Sequence, residues 1–249
     1  LVGGRGNSGA MGFNRARDIR RQPGSVIKPV ISYAPALQQR GYTAATMILD
    51  EPTSFADYSP GNINDKYYGW VTLREAVTRS LNVPAVKVLS DIGLSEGMAF
   101  AKACGIEFCE TDDSLTLALG GFTYGVSPWQ IAGAYNCFAS GGLYSQPSVI
   151  GKITDSGGKL LYENAGQPQR VMSEQNAYIL TSMLQSVISD GTGRRLNELG
   201  IPLAGKTGTV GEENGNRDAW MAAYNPEYSV AVWMGYDDYS SGELLPEDA

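Results

Sequence analysis

The sequence contains no histidine. That absence removes a Ser-His-Asp triad and every His-ligated metal site, so any hydrolytic or acyl-transfer chemistry must find its base in another side chain. Cysteine is scarce, with only Cys104, Cys109 and Cys137. An odd number without paired spacing does not make a disulfide framework. The three read as small apolar side chains of a core, with one Cys104–Cys109 bridge left open. No uninterrupted apolar run approaches the roughly 18 residues of a membrane span, and no signal peptide is visible. Positive charge is short as well. The chain has 19 Lys and Arg against 26 Asp and Glu, a formal net charge of −7, and no basic stretch, which argues against nucleic acid as a partner.

What is present is an ordinary globular composition: 249 residues, 43% hydrophobic and 18% charged, enough for one large domain or two modest ones. Residues 1–22 are rich in Gly and Arg and begin at Leu1-Val2-Gly3-Gly4 like a strand already under way. A helix is expected from Pro23-Gly24-Ser25 through Val26, Ile27, Val30 and Ile31 toward Gly41, with Pro35 kinking or shortening it. Residues 42–70 read as loop. Thr72-Leu73-Arg74-Glu75 is a capping-box pattern for a short helix ending near Arg79. Further helices are expected over Val83–Ile92 and Ser95–Ala103, from Ser127-Pro128 to Ala139, and after Ser173. A hairpin is expected to turn at Asp155-Ser156-Gly157-Gly158. Three strands are expected over Leu203–Val210, Ala219–Tyr224 and Ser229–Tyr236, the last two antiparallel. Helices in the middle and strands at the ends indicate an α+β layout with a sheet formed from the distant ends of the chain.

Three short motifs occur in order: Ser25-Val26-Ile27-Lys28, Ser80-Leu81-Asn82 and Lys206-Thr207-Gly208-Thr209. Each is weak alone. A second Ser-x-x-Lys, Ser156 to Lys159, falls in a Gly-Gly turn where nothing would hold the pair on one face. The first falls at a helix start, where residues three apart are neighbours. A serine hydroxyl needs a base, and with histidine absent Lys28 is the nearest one. A free lysine has a pKa of about 10.4, so acting near pH 7 requires a depression of roughly three units, on the order of 4–5 kcal/mol. Burial and a second cation both act in that direction, and Lys206 is the obvious cation if its strand lies beside the Ser25 helix. Ser80 offers a hydroxyl to relay a proton between Lys28 and a leaving amine, and Asn82 a donor and an acceptor for a substrate amide or for Lys28. Gly208 would let an extended substrate backbone approach the strand edge. Thr207 and Thr209, with Lys206, would hold a terminal carboxylate. The N–H groups of Ser25 and Thr209 would form an oxyanion hole.

These motifs resemble the signature of the penicillin-binding protein and serine β-lactamase superfamily. The similarity to the transpeptidase domain of class A penicillin-binding proteins extends further. It includes Asn14-Arg15-Ala16, Arg21-Gln22-Pro23-Gly24-Ser25, Lys28-Pro29 and Ala118-Leu119-Gly120-Gly121. It also includes Val126-Ser127-Pro128, Gly191-Thr192-Gly193, Asp218-Ala219-Trp220 and Val232-Trp233-Met234-Gly235. The resemblance implies a five-stranded antiparallel sheet, truncated here, packed against helices beside an all-helical part carrying Ser80 and Asn82. It implies that residues 1–249 are one transpeptidase domain cut at both ends, with an upstream glycosyltransferase domain and membrane anchor outside the chain.

The implied function is a serine DD-transpeptidase that cross-links peptidoglycan stem peptides through an acyl-enzyme on Ser25, is acylated by β-lactams and uses no metal or cofactor. Its place would be the outer face of the bacterial cytoplasmic membrane. A DD-carboxypeptidase and a non-catalytic β-lactam sensor are the alternatives. A β-lactamase is disfavoured, because residues 112–119 lack the Glu-x-x-x-Asn pattern that would activate a deacylating water.

Overall fold

The computed structural model describes residues 12–56 and 58–246. The strand start expected at Leu1–Gly4 lies outside them. At the centre runs one helical stretch that changes type twice. Gly24–Ile27 is a 3-10 turn, Pro29–Tyr33 is a π turn, and α1 spans Ala34–Gln39. Val26, Ile27, Val30, Ile31, Tyr33, Ala34 and Ala36 are all buried, as expected of a helix apolar on every side. Pro35 does not end the run, which continues to Gln39. Pro29 opens the π turn, and Pro35 falls just after the winding changes from π to α at Ala34. The changes of helix type fall where the prolines are.

β1 (Met47–Asp50) and β2 (Gly69–Thr72) pair antiparallel within the stretch read as loop. Four-residue strands joined by a long Pro- and Asn-containing connection leave too little alternation to register as strands. α2 (Leu73–Thr78) starts at Thr72, whose side chain accepts from Glu75 N. α3 (Asn82–Ile92) and α4 (Leu94–Ala103) follow, and α5 (Pro128–Ala139) carries a full Ser127/Gln130 capping box. β3 (Leu143–Tyr144) pairs with β6 (Gln169–Arg170), and β4 (Lys152–Thr154) with β5 (Leu160–Glu163), in the expected exposed hairpin. α6 (Glu174–Ser189) is capped by Ser173.

The largest sheet is β7 (Ala204–Glu212), β8 (Gly215–Tyr224) and β9 (Ser229–Gly235), antiparallel in that order. Among the described residues it has three strands, all from the last fifth of the chain, against the five the resemblance implies. In β8, Trp220, Ala222 and Tyr224 alternate into the core, the period of two that one covered face requires. Cys104 and Cys137 are buried in that core, Cys109 is half-buried, and all three are free thiols.

Candidate active site

Ser25 sits in the 3-10 turn that opens the central helix, half-buried between buried neighbours. The turn is held from three sides. Trp220 Nε1 on β8 donates to Gln22 O at 2.8 Å, Phe122 N donates to Gln22 Oε1 at 2.9 Å, and Tyr135 OH on α5 donates to Val26 O at 2.7 Å. Gly24 has φ +53, and a Cβ there would lie 2.6 Å from Thr209 O, so only glycine lets β7 lie this close to the Ser25 turn.

Gly208 acts on the same contact. Its Cβ would meet Pro23 O at 2.5 Å and Val26 N at 2.9 Å. The missing side chain at Gly208 thus also lets β7 approach the Ser25 turn.

Lys28 is fully buried. Its Nζ donates to Asn82 Oδ1 at 2.6 Å, Ser80 O at 2.8 Å and Leu81 O at 3.2 Å, and Ser80 Oγ lies at 3.5 Å. The Ser25 hydroxyl is not among its hydrogen-bond partners. Lys206, also fully buried, comes from β7 and donates to Ser80 Oγ at 2.7 Å and Thr207 O at 3.0 Å. Two amines on elements far apart in sequence therefore converge on one hydroxyl. Burial pushes the Lys28 amine well below the ordinary lysine value, and the charge of Lys206 pushes it further. Burial brings Lys206 down to about 7. The three carbonyl acceptors around Lys28 favour its charged form, but they do not outweigh the loss of water and the facing cation.

Ser80 occupies the left-handed region, φ +59. Its N–H donates to Val77 O at 3.1 Å and that of Leu81 to Ala76 O at 3.0 Å, the pair of bonds that closes a helix C-terminus at a position usually held by glycine. A serine there is strained by about 1–2 kcal/mol. Thr207 is half-buried and Thr209 exposed on β7, an outer strand of the three-stranded sheet.

Sequence reasoning missed two further contributors. Thr192, between α6 and β7, shares a 2.6 Å hydrogen bond with Thr207 Oγ1. Asn62, in the β1–β2 connection, accepts from Asn82 N at 2.8 Å. The Gly191-Thr192-Gly193 motif marked the first; nothing local marks the second. Among the described residues no group of three or more metal-ligating side chains is placed to hold an ion, and no helix is long and apolar enough to cross a membrane.

Residues 8–244 match the family model described as the penicillin binding protein transpeptidase domain. The chain is 41% identical to penicillin-binding protein 1F of Bacillus subtilis over 247 residues, covering 98% of this chain and 34% of that protein. It is 37% identical to penicillin-binding protein 1A of Clostridium botulinum, covering 97% of this chain and 30% of that protein. It superposes on the crystal structure of penicillin-binding protein 1A from Haemophilus influenzae with a TM-score of 0.80 at 28% identity, covering 92% of this chain and 40% of that one. The chain thus spans about a third of the length of these curated relatives.

Proposed function

This chain belongs to the penicillin-binding protein transpeptidase family, and from that premise we propose that it is a serine DD-transpeptidase acting on peptidoglycan stem peptides and acylated by β-lactams. The observation that carries the reading is the convergence of Lys28, three residues after Ser25, and of Lys206 on Ser80 Oγ, at 3.5 and 2.7 Å.

The proposed steps use only side chains and backbone. On losing its proton Lys28 gives up the longest of its three carbonyl contacts, Leu81 O at 3.2 Å, keeps Asn82 Oδ1 and Ser80 O as acceptors for its two remaining N–H groups, and has one lone pair to take the Ser25 proton. Ser25 Oγ then bonds to the carbonyl carbon of the penultimate D-Ala. The tetrahedral oxyanion is received by the Ser25 and Thr209 N–H groups, each such donor worth about 3 kcal/mol. When the peptide bond breaks, the leaving D-Ala amine takes a proton from Lys28 through Ser80 Oγ. An acceptor amine reverses these steps and regenerates Ser25. Lys206, Thr207 and Thr209 receive the terminal carboxylate of the donor. The substrate class is the basis for reading its place of action as the outer face of the bacterial cytoplasmic membrane.

The test incubates the chain with a penicillin and maps the adduct by mass spectrometry, then supplies a D-Ala-D-Ala donor with an amine acceptor. A stable adduct on Ser25 and a cross-linked product are expected. Hydrolysis alone makes the protein a carboxypeptidase, and acylation without peptide turnover makes it a sensor.

A further inference from the structure

α3 begins at Asn82 without a cap of its own, because the residue at its N-cap is Leu81, which has no side-chain acceptor. The two N–H groups at its start are satisfied from 20 residues away in sequence: Asn62 Oδ1 accepts from Asn82 N at 2.8 Å and from Val83 N at 3.2 Å. The other end of the same amide is anchored as firmly. Asn62 Nδ2 donates to the two oxygens of Asp50 at 2.8 and 2.9 Å and to Lys66 O at 2.9 Å. Asp50, fully buried, also accepts from Tyr68 N at 3.0 Å. A flipped amide would turn N–H toward N–H at one end and oxygen toward carboxylate at the other, so only one orientation is allowed.

The neighbouring residue holds the side chain of Asn82 in turn. Gly61 O accepts from Asn82 Nδ2 at 2.8 Å, while Asn82 Oδ1 accepts from Lys28 at 2.6 Å. All the carbonyl acceptors of the Lys28 amine, Ser80 O, Leu81 O and Asn82 Oδ1, therefore lie on the turn that Gly61 and Asn62 fasten to β1.

We propose that Asn62, backed by Asp50, is a positioning residue that holds the Ser80–Asn82 turn in its strained conformation and so sets the proton affinity of Lys28. The inference rests on the function proposed above. A local capping side chain would stabilise α3 equally well but would not fix where the turn stands relative to the central helix. The tie to Asp50 does that, because β1 is a separate element of the fold. A residue with φ +59 persists only where its surroundings over-determine it, and Asn62 supplies two of those constraints. The charged group that acts on the amine is Lys206 on β7; Asp50 on β1 stands behind Asn62 and acts on Tyr33 of the central helix. If the turn relaxes, water reaches Lys28 and its amine holds its proton to higher pH.

The experiment measures the rate of acylation of the 249-residue chain by a fluorescent penicillin between pH 5.5 and 9.5, a range set around about pH 7, with circular dichroism and burst amplitude reporting the folded, active fraction. Asn62→Ala is expected to lower the rate at pH 7 about tenfold and to move the acid limb up by about one pH unit, so that the rate recovers at higher pH. Should that variant fail to fold, Asn62→Ser, whose single short hydroxyl cannot bridge Asp50 and α3, is expected to move the limb in the same direction by less. A folded variant with the parent's midpoint, whatever its absolute rate, overturns the proposal, because a merely structural residue lowers the amplitude without moving the limb. Failure of both variants to fold also overturns it and assigns Asn62 to the fold alone. An unreactive parent chain overturns the proposed function itself, and this inference falls with it.

Discussion

Replacing Lys206 by methionine removes one positive charge from a dry cleft while roughly keeping the volume of the side chain. Ser80 Oγ lies 2.7 Å from Lys206 Nζ and 3.5 Å from Lys28 Nζ, so the two nitrogens are no more than about 6 Å apart. At an effective dielectric of about 20, a unit charge at about 6 Å is worth about 2–3 kcal/mol, or about two pH units in the titration of its neighbour. Burial brings Lys206 itself down to about 7, so near neutrality it is charged in about half of the molecules and the two amines titrate as a coupled pair. The working displacement is therefore about one to two pH units. In the proposed mechanism the active form of Lys28 is neutral, so the acylation rate rises with pH as its proton leaves, and loss of the facing cation moves that acid limb upward. At pH 7 the rate of acylation by a fluorescent penicillin is expected to fall by about ten- to a hundredfold and to recover in part above pH 8.5 or so. Lys206 also has a proposed role in holding the carboxylate, so a lower rate by itself decides nothing. An unchanged midpoint in Lys206→Met refutes the electrostatic coupling.

Stability carries a related signature. A lysine whose proton affinity is depressed in the folded state binds fewer protons there than in the unfolded chain. Stability is therefore full above the unfolded value of about 10.4 and is lost as pH falls toward the folded value. For Lys206, brought down to about 7, urea unfolding should show stability rising with pH from about 7 to 10 by about 1.4 kcal/mol per unit, and Lys206→Met should remove its share of that slope. Ser80→Gly and Ser80→Ala both delete the proposed relay hydroxyl and should both acylate at least about a hundredfold more slowly. Glycine relieves the left-handed strain, so Ser80→Gly should be the more stable of the two by about 1 kcal/mol in the same denaturation assay. Gly208→Ala forces a Cβ to 2.5 Å from Pro23 O and should cost about 1–3 kcal/mol. It should also slow acylation, because β7 carrying Lys206 and Thr209 must move away from the Ser25 turn.

The parts of this molecule that were legible in the sequence are those decided by neighbours along the chain. Thr72, Ser127 and Ser173 each cap the helix expected of them, because a capping oxygen and its N–H partner lie within three residues. Of the three strands at the C-terminal end, β8 and β9 follow from alternation over seven or more residues. The site motifs could be read as Ser25-x-x-Lys28, Ser80-x-Asn82 and Lys206-Thr207-Gly208 because each is short. What could not be read is how they meet. The left-handed conformation of Ser80 sits where glycine is the usual residue. The partner of Gly208 is the Ser25 turn, some 180 positions earlier. Pro35 stays inside a helix because the run changes type ahead of it. Asn62 looked like one more polar residue in a loop, and its role exists only through contacts to Asp50 and Asn82 that no local pattern encodes.

The most direct measurement is the titration of Lys28 itself, followed through its Nζ and Cε resonances by NMR and assigned with the Lys28→Met chain. This amine is expected to lose its proton well below the ordinary lysine value of about 10.4, and at a higher pH in Lys206→Met than in the parent. A Lys28 that titrates near about 10.4 in both chains contradicts the proposed mechanism.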